Sequence, residues 1–334
     1  MNLFELTRAF IDIDSVTPNE EAFGNFLFDH LSKLAAKTNG RVERMPVEPH
    51  RFNVLATWDD PVVTLSTHLD TVPPFFGSRE ESEFIWGRGA CDTKGISASM
   101  ITAAEALLAA GERRIALLFV VDEERDSIGA LEAAKHSRGG RYLINGEPTD
   151  NKLALGSKGA LRYELVARGR MAHSAYPHLG DSAIEKLLDV LEKIRRLPLP
   201  NDPLFGPCTL NIGTIQGGRA PNVIPDHARA EIFFRLVDNG LATKKAMESL
   251  DDGTIELHEV RCTSAEKFKQ VDGFETMIAA FTTDIPAFNG TWGEPLLIGP
   301  GSVHVAHTDK ECVAKRELVE AVEIYKNLVR RLIQ

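Results

Sequence analysis

The 334-residue sequence is poor in cysteine. Its four, Cys91, Cys208, Cys262 and Cys312, stand far apart without C-x-x-C spacing, which disfavours both a disulfide framework and a zinc–cysteine site. No stretch approaches the roughly 20 uninterrupted apolar residues that a membrane span needs. The opening M-N-L-F-E-L-T-R-A-F carries acids and no long apolar core, so it does not read as a signal peptide, and a reducing cytoplasm is the expected compartment. Positive charge is also scarce. With 38 Lys and Arg against 48 Asp and Glu, the formal net charge is −10, and no Lys/Arg-dense stripe offsets it. That balance argues against a nucleic-acid-binding surface.

What the chain does have is a repeated ending. The apolar run Pro61 to Leu65 closes in S-T-H-L-D, placing His68 and Asp70 where a buried strand runs out into a loop. Open α/β sheets hold their ligands at such strand exits. Ile115 to Val121, nearly all apolar, runs straight into Asp122-Glu123-Glu124. Tyr142 to Asn145 ends in Gly146-Glu147-Pro148-Thr149, and Pro295 to Ile298 leads through Gly299-Pro300-Gly301 to His304 and His307. Three adjacent acids at a strand exit repel one another unless a cation neutralises them or solvent screens them. Neighbours on an extended segment point opposite ways, so one glutamate can hold a metal while the other faces a bound water as a base.

Between these runs the spacing is helical. Leu3, Leu6, Phe10 and Ile13 mark one helix. Phe23 to Leu34 mark a second, closed by Asn39-Gly40. Further helices are expected through Met100 to Leu108, through Ile128 to Ala134, over Gly273 to Phe281 and over Arg316 to Ile333. The alternation predicts a mostly parallel sheet in an α/β domain. G-R-G-A-C-D-T-K-G at Gly87 to Gly95 has two readings. It is a tight loop opening a helix with Asp92 as an N-terminal acid, or a loop that brings Asp92 to the mouth of the His68 site. Dinucleotide binding fails, because the G-x-G-x-x-G spacing is missing, and so does a P-loop, because no G-x-x-x-x-G-K frame is present.

After Asp150 the pattern changes. A strand over Lys158 to Gly169, with Leu161, Tyr163, Leu165 and Ala167 on one face, precedes M-A-H-S-A-Y-P and a helix over about Asp181 to Arg196. Strands at Cys208 to Gln216 and Ala228 to Leu236 follow. This predicts a smaller α+β, ferredoxin-like domain over 156–269, inserted into a discontinuous catalytic domain over 1–155 and 270–334.

S-T-H-L-D-T-V-P, G-R-G-A-C-D-T-K-G, V-D-E-E, N-G-E-P-T and A-H-T-D-K-E, in this order over nearly the whole chain, resemble the M20 family of metallopeptidases. That group contains acetylornithine deacetylase, succinyl-diaminopimelate desuccinylase, aminoacylase and carboxypeptidase G2. The resemblance implies two Zn²⁺, for which Co²⁺ or Mn²⁺ can substitute, bridged by Asp92. His68 and Glu147 would complete one site and Glu124 and His307 the other. It implies Glu123 as general base, with attack by a metal-bridging hydroxide, and Asp70 as the group that orients the His68 ring. It places His173 as a lid-domain residue offered to the active site across a homodimer interface, where the plain reading is a surface histidine at a strand-to-helix turn. It puts Arg219, Asn222 and Arg235 at substrate-carboxylate or oxyanion contacts, and Gly301 on a backbone loop that lines the pocket. Three carboxylates and one hydroxide balance two Zn²⁺.

The implied activity is deacylation of a small N-acyl amino acid of the acetylornithine or acetylcitrulline kind. The alternative is a dipeptidase, aminopeptidase or carboxypeptidase using the same ions. A non-catalytic relative would have lost Glu123 or a ligand, and none is lost. The chain departs from typical acetylornithine deacetylases in a shorter C-terminal part, where I-P-A-F-N-G-T-W-G-E-P bears on the pocket.

Overall fold

Asn2 opens the first helix, Leu3–Ile11, with a reciprocal cap. Its side chain accepts from the Phe4 and Glu5 N–H groups while the Glu5 carboxylate accepts from the Asn2 N–H. The second helix, Glu21–Thr38, stops where Asn39 turns left-handed at φ 57°. These elements belong to a computed structural model that describes residues 1–138, 140–250 and 252–334. The chain folds as two units, one of Met1–Leu155, Phe268–Met277 and Thr283–Gln334, the other of Gly156–Lys267 and Ile278–Thr282.

The first unit is built on a six-stranded sheet. Its order is Arg41–Glu48, Arg51–Thr57, Ile115–Val120, Val63–His68, Tyr142–Asn145 and Glu294–Leu297. The last four run parallel, and Arg51–Thr57 is antiparallel to both its neighbours. Ile115, Leu117 and Phe119 pack on one face with the helices Lys94–Ala109 and Lys315–Ile333. Ala116, Leu118 and Val120 pack on the other with Ala130, Ala133, Phe288 and Trp292. Cover on both faces explains why this strand reads as an unbroken apolar run. In register, His68 lies opposite Val120, Ser66 opposite Asn145 and Asn145 opposite Leu297. The residues that follow each parallel strand therefore leave the sheet along one edge.

The second unit runs strand Gly159–Arg168, helix Ala183–Arg195, strands Thr209–Gly217 and His227–Leu236, helix Leu241–Glu248 and strand Ile255–Thr263. Its four-stranded antiparallel sheet places the last strand beside the first and the third between first and second, the ferredoxin-like arrangement. Leu161, Tyr163, Leu165 and Ala167 are buried with Leu187, Val190 and Ile194 of its first helix, as the alternation requires.

Two elements differ from the sequence expectation. Gly273 to Phe281 is not a helix, because Thr276–Ala279 is extended. Phe274, Ile278 and Phe281 do have helical spacing, but Gly273 takes φ 82° and the Glu275 carbonyl accepts the Leu153 N–H. Pairing with a neighbouring segment decides this short apolar run, which periodicity alone leaves open. The strand Arg41–Glu48 was not expected, since Val42, Met45 and Val47 do not alternate and Pro46 interrupts them.

Candidate metal centre

His68 ends its strand as a buried residue, and its two ring nitrogens face different groups. Nδ1 lies 2.9 Å from the Asp70 carbonyl and 3.5 Å from the Asp70 carboxylate; Nε2 lies 3.0 Å from Asp92 Oδ1. A carbonyl oxygen only accepts, so Nδ1 carries the hydrogen and the Nε2 lone pair is directed at a carboxylate. That arrangement is repulsive unless a proton or a cation stands between them.

The Asp70 carboxylate serves a second purpose. It accepts the Glu123 N–H on Oδ1 and the Glu124 N–H on Oδ2, each at 3.1 Å, and the Thr17 hydroxyl at 2.8 Å. Asp122, just before these glutamates, sits at φ 72° and is held by Arg51 at 2.5 Å. The turn that presents Glu123 and Glu124 is thus fixed from both sides by side chains on neighbouring strands.

Asp92 lies just before the helix Lys94–Ala109, beyond a cis Asp92–Thr93 peptide. Its Oδ1 faces His68, and its Oδ2 lies 3.2 Å from Nε2 of His307, which is also 3.0 Å from Glu124 Oε1. His307, its side chain 51% exposed, is the histidine of its loop that reaches the carboxylates; His304 is exposed as well. Glu147 is buried at the exit of the next strand, with the Asn145 amide 3.5 Å away.

The charges are unbalanced. Burial pushes the Glu123 carboxyl well up, with Glu147 adding to the rise, and burial does the same to Glu147. Glu124 rises through burial and the Asp92 charge. His307 is drawn up to about 10 by its hydrogen bonds with Asp92 and Glu124. His68 rises because its contacts with Asp70 and Asp92 outweigh burial. Burial opposes ionisation of Asp92, but His307 and His68 hold it low. Protons drawn onto imidazoles and carboxyls mark a surplus of negative charge that a divalent cation relieves. His68, Asp92 and Glu124 offer three donor atoms within 4.8 Å of one another. Imidazole and carboxylate donors of this kind suit zinc, so the residues fit a metal.

Residues 155–252 match the family described as Peptidase dimerisation domain, and residues 53–175 match Peptidase family M28. A Peptidase M20 domain-containing protein of Schizosaccharomyces pombe is 37% identical over 98% of this chain and 84% of its own length. The chain belongs to the M20 peptidase family. A probable carboxypeptidase of Aspergillus niger is 33% identical over 98% of this chain and 89% of its own. Among solved structures, a tripeptidase from Staphylococcus aureus superposes with a TM-score of 0.82 at 20% identity, covering 98% of each chain. An M20 family metallo-carboxypeptidase from Sulfolobus solfataricus gives 0.80 at 15%, covering 99% of each. At these identities the structural likeness speaks for the fold. The M20 fold and the metal cluster together support a zinc-dependent peptidase or amidohydrolase.

In this M20 peptidase, four of the residues expected to meet substrate lie in the second unit. His173 is exposed and forms an isolated antiparallel bridge with Val223, and the Asn222 carbonyl accepts the Ser174 N–H at 3.0 Å. His173 Nδ1 accepts the Ala175 N–H at 3.1 Å, so its remaining hydrogen sits on Nε2. Arg219 is exposed and engaged by Asp226 through two hydrogen bonds. Arg235 is half-buried over the Phe233 ring at 4.6 Å, and no carboxylate among the described residues pairs with it. Gly301, in the first unit, takes φ 84°, and a Cβ there would lie 2.4 Å from Cys91 Cβ. Arg51, Arg88, Glu311 and Thr17 were not assigned a task from sequence. Apart from Glu48, three residues from Arg51, their partners are main-chain groups and charged or polar side chains distant in sequence, which leave no local pattern. Only Arg88 and Glu311 fall inside motifs, at G-R-G and A-H-T-D-K-E.

Proposed function

We propose that this M20 peptidase is a dinuclear zinc amidohydrolase that removes the acyl group from a small N-acyl amino acid of the acetylornithine or acetylcitrulline kind. The carrying observation is Asp92, whose two oxygens face two different imidazoles, His68 and His307, as a bridging carboxylate between two ions requires. Glu147 would complete the His68 site and Glu124 the His307 site.

Zinc held by His68, Asp92, Glu124, Glu147 and His307 would supply a Lewis acid for the scissile carbonyl and would lower the pKa of water from ~15.7 toward 7. Glu123 accepts the proton that the attacking water loses and hands it to the departing amine. His173, with its hydrogen on Nε2, is a donor for the oxyanion and acts from the second copy of a homodimer. Arg235, half-buried and without an acidic partner among the described residues, takes the α-carboxylate of the substrate.

A second reading, a carboxypeptidase, is favoured by the names of the Aspergillus niger and Sulfolobus solfataricus proteins. Both readings use the same α-carboxylate contact and differ on the acyl side. Assay of the zinc-loaded protein on N-acetylornithine, N-acetylcitrulline, N-succinyl-diaminopimelate and simple dipeptides separates them. Hydrolysis of the acetyl compounds above the rest is expected. Cleavage of dipeptides alone selects the peptidase reading, and inactivity on every compound sinks both.

A further inference from the structure

Arg88 and Glu311 offer no atom to the proposed metal site, yet the two form an ion pair at 2.6 Å with each side chain 1% exposed. They are 223 residues apart in the chain. Glu311 follows His307 by four residues, and nearly all its contacts go to the Asp92 loop. Its carbonyl accepts the Gly87 N–H at 3.1 Å, and its Oε2 accepts from Arg88 Nη1. Its Oε1 accepts the N–H of Cys91 at 3.3 Å and of Asp92 at 3.2 Å. Arg88 is fixed in turn by its Nε, which donates to the Pro74 carbonyl at 3.2 Å.

A buried ion pair is a weak source of stability, and an apolar pair of the same volume would fill the space as well. What an apolar pair would not supply is an acceptor for two main-chain N–H groups that are otherwise shut away from water. With its N–H held from behind, Asp92 projects its carboxylate forward to His68 and His307. Glu311 also ties the loop of His307 to the loop of Asp92. We propose that Glu311, anchored by Arg88, is the positioning residue that sets the Asp92 carboxylate for metal. This rests on the reading of Asp92 and His307 as ligands.

The test compares zinc affinity, by chelator competition, with Tm of the same metal-free, full-length samples. Glu311→Gln keeps an oxygen for the two N–H groups but leaves Arg88 without its anion. Its metal-free Tm falls while its zinc affinity stays close to wild type. Glu311→Asp keeps the charge for Arg88 but is one methylene short of the N–H groups. Its Tm lies above that of Glu311→Gln, while zinc affinity drops by about 10-fold or more. The two readouts thus rank the variants in opposite order, and if Glu311→Gln does not fold, Glu311→Asp alone decides by whether zinc affinity is lost at a near-wild-type Tm. Affinity that falls in step with Tm, or wild-type affinity in both variants, overturns the proposal. Asp92→Asn separates the premise: wild-type zinc affinity there refutes the ligand reading itself, whereas loss there with retention in Glu311→Asp refutes only the positioning.

Discussion

Asp70 uses three different oxygens for three different neighbours. Its carbonyl is the nearer partner of His68 Nδ1, and its carboxylate holds the N–H groups of Glu123 and Glu124. The sequence suggested a carboxylate that orients an imidazole, and the same side chain also shapes the turn that carries the proposed base. The proposed role of Glu123 depends on this turn, because a base there must face away from Glu124 if Glu124 holds metal. Replacing Glu123 with Gln keeps size and removes the base. The expected result is a fall in kcat of about 10²–10⁴-fold with zinc content by elemental analysis unchanged. Turnover near wild type would remove Glu123 from that role.

At the scale of elements, the strand exits were legible because each acid or histidine directly follows an apolar run, and strand order in the folded sheet brings those exits to one edge. The Arg51–Asp122 and Arg88–Glu311 pairs were not legible, since partners 71 and 223 residues apart meet only through the fold. Gly273 to Phe281 misled because a short apolar run satisfies helical spacing and still forms a strand when a neighbour offers its N–H. The His173 loop of the second unit carries its own expectation. If His173 acts in the neighbouring copy, Glu123→Gln and His173→Ala subunits, each inactive alone, form a mixed dimer with one complete site. Mixing them should restore activity, measured against each variant alone. No recovery after subunit exchange would place His173 in its own chain's site or outside the reaction.

At the scale of the whole molecule, the ferredoxin-like unit interrupts a sheet whose last strand and last helix come from the far end of the chain. His307 therefore joins His68 and Asp92 only when the C-terminal part has folded back onto the first unit. The centre gathers more acid than its imidazoles balance, within a chain whose formal net charge is already −10. If His307 holds metal, ligation and closure of this unit are coupled, and metal binding would then contribute to its folding. Asp92, set between His68 and His307, would hold two ions under the proposed function. Zinc titration of chelator-stripped protein, followed by elemental analysis per chain, tests it most directly. Two equivalents in the wild type, falling in Asp92→Asn, is the predicted result; a single equivalent at saturation, or two equivalents retained without Asp92, would contradict it.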